Sequence, residues 1–211
     1  MTRTEKALNA GAIASSFAPW LGGPISGVLS GMSQSRKFDR AAEILRGLAD
    51  RMAEFESDVS QNYVKTEDFE DLLEQTLRRG AEQRSVEIRK LYRNLLARAI
   101  KNPSDAYDDQ IELLRVLEQM NVRHMVMLDA LDQLPPPNAH LNMMGSPLQT
   151  LCERTGLSAV EIELALEKLN DLRVTKLNNL NMMMTGAAAQ DLRHSITTLG
   201  RRLVEYVRDP D

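Results

Sequence analysis

Three histidines, one cysteine and a run of carboxylates are the residues whose types could carry chemistry in this chain of 211 residues. His124, His140 and His194 are scattered, with no pair at the spacing that lets one helix face hold a zinc ion. His124 stands beside Met125, Val126 and Leu128 and reads as structural. Glu67, Asp68, Glu70, Asp71 and Glu74 crowd one segment, but they lack the histidines of a helical two-metal site. They fit the solvated start of a helix, where negative charge complements the dipole. Gly22-Gly23-Pro24 is not followed by the Lys-Ser/Thr that a phosphate loop needs, and Ser26 lacks the flanking glycines of a nucleophile elbow. Cys152 is the sole cysteine. It excludes an intrachain disulfide, suits a reducing cytoplasm, and has no His or basic cluster beside it in sequence, so it reads as a structural, half-buried thiol. These readings assign no catalytic, cofactor-binding or metal-ligating residue and argue against an enzyme.

The elements that would position any functional side chain are helical. Aromatics are only 4% of the chain, while Leu, Ala, Met, Glu and Arg are abundant, a composition for helices packed through aliphatic side chains. The formal net charge of −4 provides no overall positive field for nucleic acid or an anionic surface, so any such contact must be local. From Arg36, the residues Phe38, Ala41, Leu45, Leu48, Met52, Phe55 and Val59 step by three and four, a seam that one side of a helix can bury. An intramolecular bundle face and a dimer zipper both fit it. Thr66 is a helix cap followed by Glu67 and Asp68, with Phe69, Leu72, Leu73, Thr76 and Leu77 as the buried stripe and Gly80 as a weak point. Ser85 caps the next helix, whose stripe is Ile88, Leu91, Tyr92, Leu95 and Ala99, and Asn102-Pro103 stops it. Ser104 or Asp105 opens a segment with Ile111, Leu114 and Leu117 inside, and Asn121 caps a short helix through VRHMVMLDAL.

The prolines of LPPPNAHLNMMG place a linker at 134–145. Beyond it, Ser146-Pro147 starts a helix that Gly156 ends, and Ser158 with Glu161 forms a capping box for AVEIELALEKLNDL. RVTKLNNL, a non-helical tip NMMMTGAAAQD, a strand-like LRHSITT and a last helix from about Leu199 to Val207 follow. That order resembles a winged helix-turn-helix domain. The helix that would enter a groove carries Glu161, Glu163, Glu167 and Asp171 against Lys168 alone, and phosphates would repel it. Arg173, Lys176, Arg193, Arg201, Arg202 and Arg208 could offer a patch elsewhere. Met182, Met183 and Met184 at the tip suit an adaptable apolar partner contact, or a flexible loop.

Nothing from Ala7 to Ser35 carries a charge. Gly23, Gly27 and Gly31 recur every fourth residue beside a second column of small residues, with Trp20, Leu21, Ile25 and Leu29 supplying bulk. Each helical glycine costs about 1 kcal/mol relative to alanine, so a closely packed partner helix is expected. Pro19 and Gly22-Gly23-Pro24 divide the region into two halves, each shorter than the roughly 20 apolar residues needed to cross a bilayer. The reading is a helical hairpin packed on the body; a conditional membrane or oligomer-forming segment and a constitutive anchor are the alternatives. Asn9, Gly11, Ser15 and Ser16 interrupt the block after Arg3 and Lys6, so a cleaved signal peptide is not expected.

The expected architecture is mainly α: a glycine-rich hairpin over 1–35, a helical bundle over 36–133, a linker over 134–145 and a small winged-helix-like domain over 146–211. FEDLLEQTLRRGAEQRSVEIRKLYRNLLARAI, with Leu91, Tyr92, Leu95, Leu96 and Ala97, then Leu117, Met120 and His124, resembles the helical core of abortive-infection alpha proteins over about residues 65–130. The resemblance implies a bacterial phage-defence setting and carries over no catalytic residue. The resulting expectation is a non-enzymatic protein whose helical body binds a partner or trigger and whose glycine-rich segment oligomerises or perturbs a membrane. The expected partner is a protein or a second copy of the chain; a membrane is a further candidate, and specific nucleic-acid recognition is disfavoured. The expected location is cytoplasmic, with conditional membrane association. A soluble homo-oligomeric scaffold and a winged-helix DNA-binding regulator stay open.

Overall fold

The computed structural model describes Leu29 and residues 36–54, 62–133, 147–177, 192 and 194–208. Among these residues the protein is mainly helical: α1 Arg36–Glu54, a 3-10 turn Tyr63–Lys65, α2 Glu67–Glu82, α3 Val86–Lys101, α4 Tyr107–Glu118, α5 Val122–Asp132, α6 Pro147–Thr155, α7 Ala159–Asp171 and α8 Thr198–Val207. The chain divides into two compact units, residues 1–118 with 206–211, and residues 119–205. The proline run predicts a boundary at 134–145, which lies outside the described residues; the division instead falls at Glu118/Gln119, because α5 packs on α6 and α7.

In the first unit, capping sets the helix starts. The Thr66 hydroxyl accepts from Phe69 N at 3.3 Å and Ser85 Oγ from Ile88 N at 3.1 Å, each satisfying a free N–H of a first turn. α1 packs on α2 and α3, and α2 packs on α3 and α4. Phe38, Ala41, Leu45 and Leu48 of α1 are buried, Met52 is half-buried, and Phe55 and Val59 lie outside the described residues. Phe69, Leu72, Leu73 and Leu77 meet Ile88, Tyr92, Leu95 and Leu96, together with Leu114 and Leu117, in one core. Burial of each such side chain contributes roughly 1.5–3 kcal/mol. Gly80 does not weaken α2, which runs on to Glu82: a Cβ there would stand 2.5 Å from Ile44 Cδ1 and 3.3 Å from Tyr92 Cγ. The glycine is where three helices close on one another.

In the second unit, Asn121 and Ser158 each form a capping box, with His124 and Glu161 as the returning partners. Gly156, at φ +69°, ends α6 by donating its N–H to Cys152 O at 2.9 Å. Three helices are followed by an antiparallel bridge between Thr175 and Ile196, in which Lys176 N donates to Ser195 O at 2.8 Å and Thr197 N to Val174 O at 3.0 Å. The strand-like reading of LRHSITT reduces to this one bridge, since Leu192 and His194 are helical and Thr198 already opens α8.

Candidate partner-binding surfaces

Two surfaces of opposite character stand out, one on each unit. The first lies along α1 and α3. Glu43 pairs with Arg89 and Gly47 packs on Arg93, so residue numbers ascend together and the two helices run parallel. Where the α2–α3 loop meets the start of α1, a trough of about 630 Å³ is walled by Arg36, Lys37, Arg40, Glu82 and Arg84. Lys37 pairs with Glu82. Arg40 Nη1 donates to the carbonyls of Ala81 and Glu82 at 3.1 and 3.3 Å, tying α1 to the last turn of α2. Arg36 and Arg84 are exposed and make no ion pair among the described residues. Farther along the same helices, a hollow of about 250 Å³ is lined by Glu43, Arg46, Asp50, Arg89, Lys90 and Arg93, among others. The two hollows together hold eight cations against three carboxylates, in a chain whose net charge is −4. This is a local positive field on an acidic protein, with arginine forks suited to phosphate or carboxylate.

The loop that carries Arg84 is held by Arg89, which is only 6% exposed. Its Nη1 donates to Gln83 O and Arg84 O at 3.1 and 2.9 Å, while Nε and Nη2 both reach Glu43 Oε2. The stripe read along this helix from sequence, Ile88, Leu91, Tyr92, Leu95 and Ala99, does not include Arg89. A buried arginine leaves no local signal, because its partners lie on another helix and on backbone carbonyls.

The second surface is the outward side of α7. Val160 is 64% and Leu164 58% exposed, one helical turn apart, with Glu163, Glu167 and Asp171 exposed beside them. Lys168, the cation of this helix, donates to Gln119 Oε1 at 3.2 Å, and Glu161 pairs with Arg123 at 3.2 Å. The capping box and Arg123 hold the Glu161 carboxyl below its usual range, with the Ser158 hydrogen bonds as the main cause. Asn170, unnoticed in the sequence pattern, clamps the chain after α7. Its Oδ1 accepts from Thr175 Oγ1 and Leu177 N, and its Nδ2 donates to Leu177 O at 2.7 Å.

Other predicted residues fall as follows. His124 Nδ1 accepts from Asn121 N at 3.0 Å within the α5 cap, and burial with the nearby cations Lys168 and Arg123 lowers its pKa. His194 is exposed, and Cys152 is a half-buried free thiol. Gly23, Gly27, Gly31, Trp20, Leu21, His140, Met182, Met183 and Met184 lie outside the described residues. Among the described residues no group of His, Cys, Asp and Glu could hold a metal ion, and no helix is long and apolar enough to cross a membrane.

No family model, curated protein or solved structure matches the chain. Fold and surfaces define a mainly helical protein of two units, one presenting a basic trough and the other an acidic, apolar helix face.

Proposed function

We propose that this is a non-enzymatic bacterial protein of the abortive-infection kind, whose folded units receive a partner and whose uncharged N-terminal segment then oligomerises or acts on a membrane. The observation that carries the receiving role is the exposure of Val160 and Leu164 on α7. Two large aliphatic side chains held one turn apart in water are the mark of a contact surface, and the flanking Glu163 and Glu167 select a protein partner presenting an apolar strip edged with Lys or Arg. Three helices followed by the Thr175–Ile196 bridge support a winged-helix-like reading of this unit. The carboxylates on α7 weigh against its use as a DNA reader, since they would face phosphates. The phage-defence setting rests on the resemblance of residues 65–130.

The test is phage plating on cells that express the chain. Wild type is expected to lower plating efficiency or lawn survival, and Val160→Asp with Leu164→Asp is expected to abolish the effect while thermal unfolding and helicity are unchanged. Full activity of the double variant would remove α7 as the receiving face; inertness of the wild type against a broad phage panel would remove the defence reading.

A second reading, a homo-oligomeric scaffold, is favoured by the opposite charges of the trough and the α7 face, which would let one copy dock on the next. Light scattering decides it: a mass above that of one chain that falls with added salt and in the α7 variant supports the scaffold.

A further inference from the structure

We infer that the trough between the start of α1 and the α2–α3 loop is a docking site for the phosphate headgroups of anionic lipids. The inference rests on the reading above that the uncharged segment acts on a membrane. Arg36, the first wall of the trough, directly follows Ser35, the last residue of the uncharged stretch that begins at Ala7. Cations that adjoin an uncharged segment meet the surface layer of a bilayer when that segment enters it, and basic clusters in this position bind anionic lipid.

Four cations surround the trough and only one, Lys37, is balanced there by a carboxylate. Arg36 and Arg84 face solvent from two separate elements, so a phosphate between them would be held from both sides. Arg40 already spends part of its donor capacity on the α2 carbonyls and fixes the wall rather than reaching outward. Arg84 is likewise fixed at the backbone, because its carbonyl is held by Arg89. No aromatic side chain lines either hollow, so the surface has no platform on which nucleobases could stack. That favours separate headgroups over a single-stranded nucleic acid. The net negative charge of the whole chain leaves attraction to an anionic bilayer to local basic faces such as this one.

The experiment is flotation of the full chain with vesicles of phosphatidylcholine alone and of phosphatidylcholine mixed with phosphatidylglycerol. Wild type is expected to float only with the mixed vesicles and to detach at high salt. Arg36→Glu with Arg84→Glu is expected to weaken that binding by about tenfold or more, whereas the charge-matched pair Lys65→Glu with Arg115→Glu, on other elements, changes it far less. Equal binding to neutral vesicles, equal loss in both double variants, or no binding at all overturns the inference. So does a wild type that ignores both vesicles yet shifts labelled DNA in a manner dependent on Arg36 and Arg84, which would assign the trough to nucleic acid. Tethering a polyhistidine-tagged chain to neutral nickel-chelating vesicles separates this inference from the reading beneath it. Dye release there without any requirement for Arg36 or anionic lipid keeps the membrane-acting segment and overturns the trough. No release when tethered, beside Arg36-dependent flotation, removes the membrane-acting segment and keeps the trough.

Discussion

Arg89 binds one oxygen of Glu43 with two of its nitrogens, at 3.2 and 2.7 Å, while its third nitrogen holds the carbonyls of Gln83 and Arg84. One buried guanidinium thereby fastens α1 to the loop that presents Arg84. Replacing it by Met leaves a carboxylate and two carbonyls without their donor, at a cost of about 2–3 kcal/mol in urea unfolding. Glu43→Gln keeps an oxygen acceptor and should cost only about 1 kcal/mol. If both variants unfold at the wild-type midpoint, the pair does not hold the loop.

Glycine substitutions should separate by what surrounds them. A Cβ on Gly200 would lie 2.2 Å from Val174 O and 2.8 Å from Ile196 Cγ2, so Gly200→Ala should force α8 off the bridge and cost about 1–3 kcal/mol. A Cβ on Gly47 would lie 2.6 Å from Arg93 Cδ, in a side chain whose Nε and Nη2 donate to Asn94 Oδ1. It meets side chain and no backbone, so helix propensity offsets part of the displacement and Gly47→Ala should cost less than Gly200→Ala, about 0–1 kcal/mol. Chemical denaturation of the two variants side by side checks the order.

Arg173 ends α7 with φ 57°, a left-handed conformation that disfavours a side chain bearing Cβ. Its backbone N–H donates to Asn170 O at 2.8 Å, a contact glycine retains. Arg173→Gly should therefore raise stability by about 1 kcal/mol, read as a higher melting temperature; a lower one would show that the arginine side chain contributes contacts of its own.

His124 gives the second unit a pH dependence. Burial, then Lys168 and Arg123, lower its pKa below the ordinary value of 6.5. The unfolded chain thus takes up the proton first, so stability is fully present above that value and declines as pH falls through it. Protonation of Nδ1 also removes the acceptor that caps Asn121 N. Thermal melts should fall more steeply between neutral and mildly acidic pH for wild type than for His124→Gln, whose amide oxygen can cap without titrating. Parallel curves would contradict this.

The Tyr92 hydroxyl is buried without a hydrogen-bond partner among the described residues. Burial pushes its pKa up to about 12, and Gln83 opposes the shift without making a hydrogen bond that meets normal geometry. Removing an unsatisfied hydroxyl should be neutral or stabilising, so Tyr92→Phe is expected to change the unfolding free energy by about 0 to +1 kcal/mol. A loss of stability would mean the hydroxyl is satisfied by water or by a partner in solution.

Much of the helical layout was legible because the signals are local. Thr66, Ser85, Asn121 and Ser158 sit one residue before the helices they cap, and most apolar steps of α1 to α4 coincide with buried positions, Met52 and Leu91 being half-buried and Phe55 and Val59 lying outside the described residues. The acidic, apolar side of α7 was half legible: its carboxylates can be counted in sequence, but the exposure of Val160 and Leu164 runs against the rule that such residues go inside, and only packing reveals it. The trough was not legible, because Arg36 and Arg84 are far apart in the chain and meet through the pairing of α1 with the α2–α3 loop.

By itself, then, the sequence determined most of the helices among the described residues, the caps that start α2, α3, α5 and α7, and that charge is withheld from Ala7 to Ser35, since each of these is set by neighbours within a turn or two. Tertiary structure decided the rest. It put Gly80 at a three-helix contact, buried Arg89 against Glu43, moved α5 to the second unit, and gathered cations of an acidic chain into one trough. Those outcomes depend on contacts between residues distant in sequence, whose free energies no local pattern encodes.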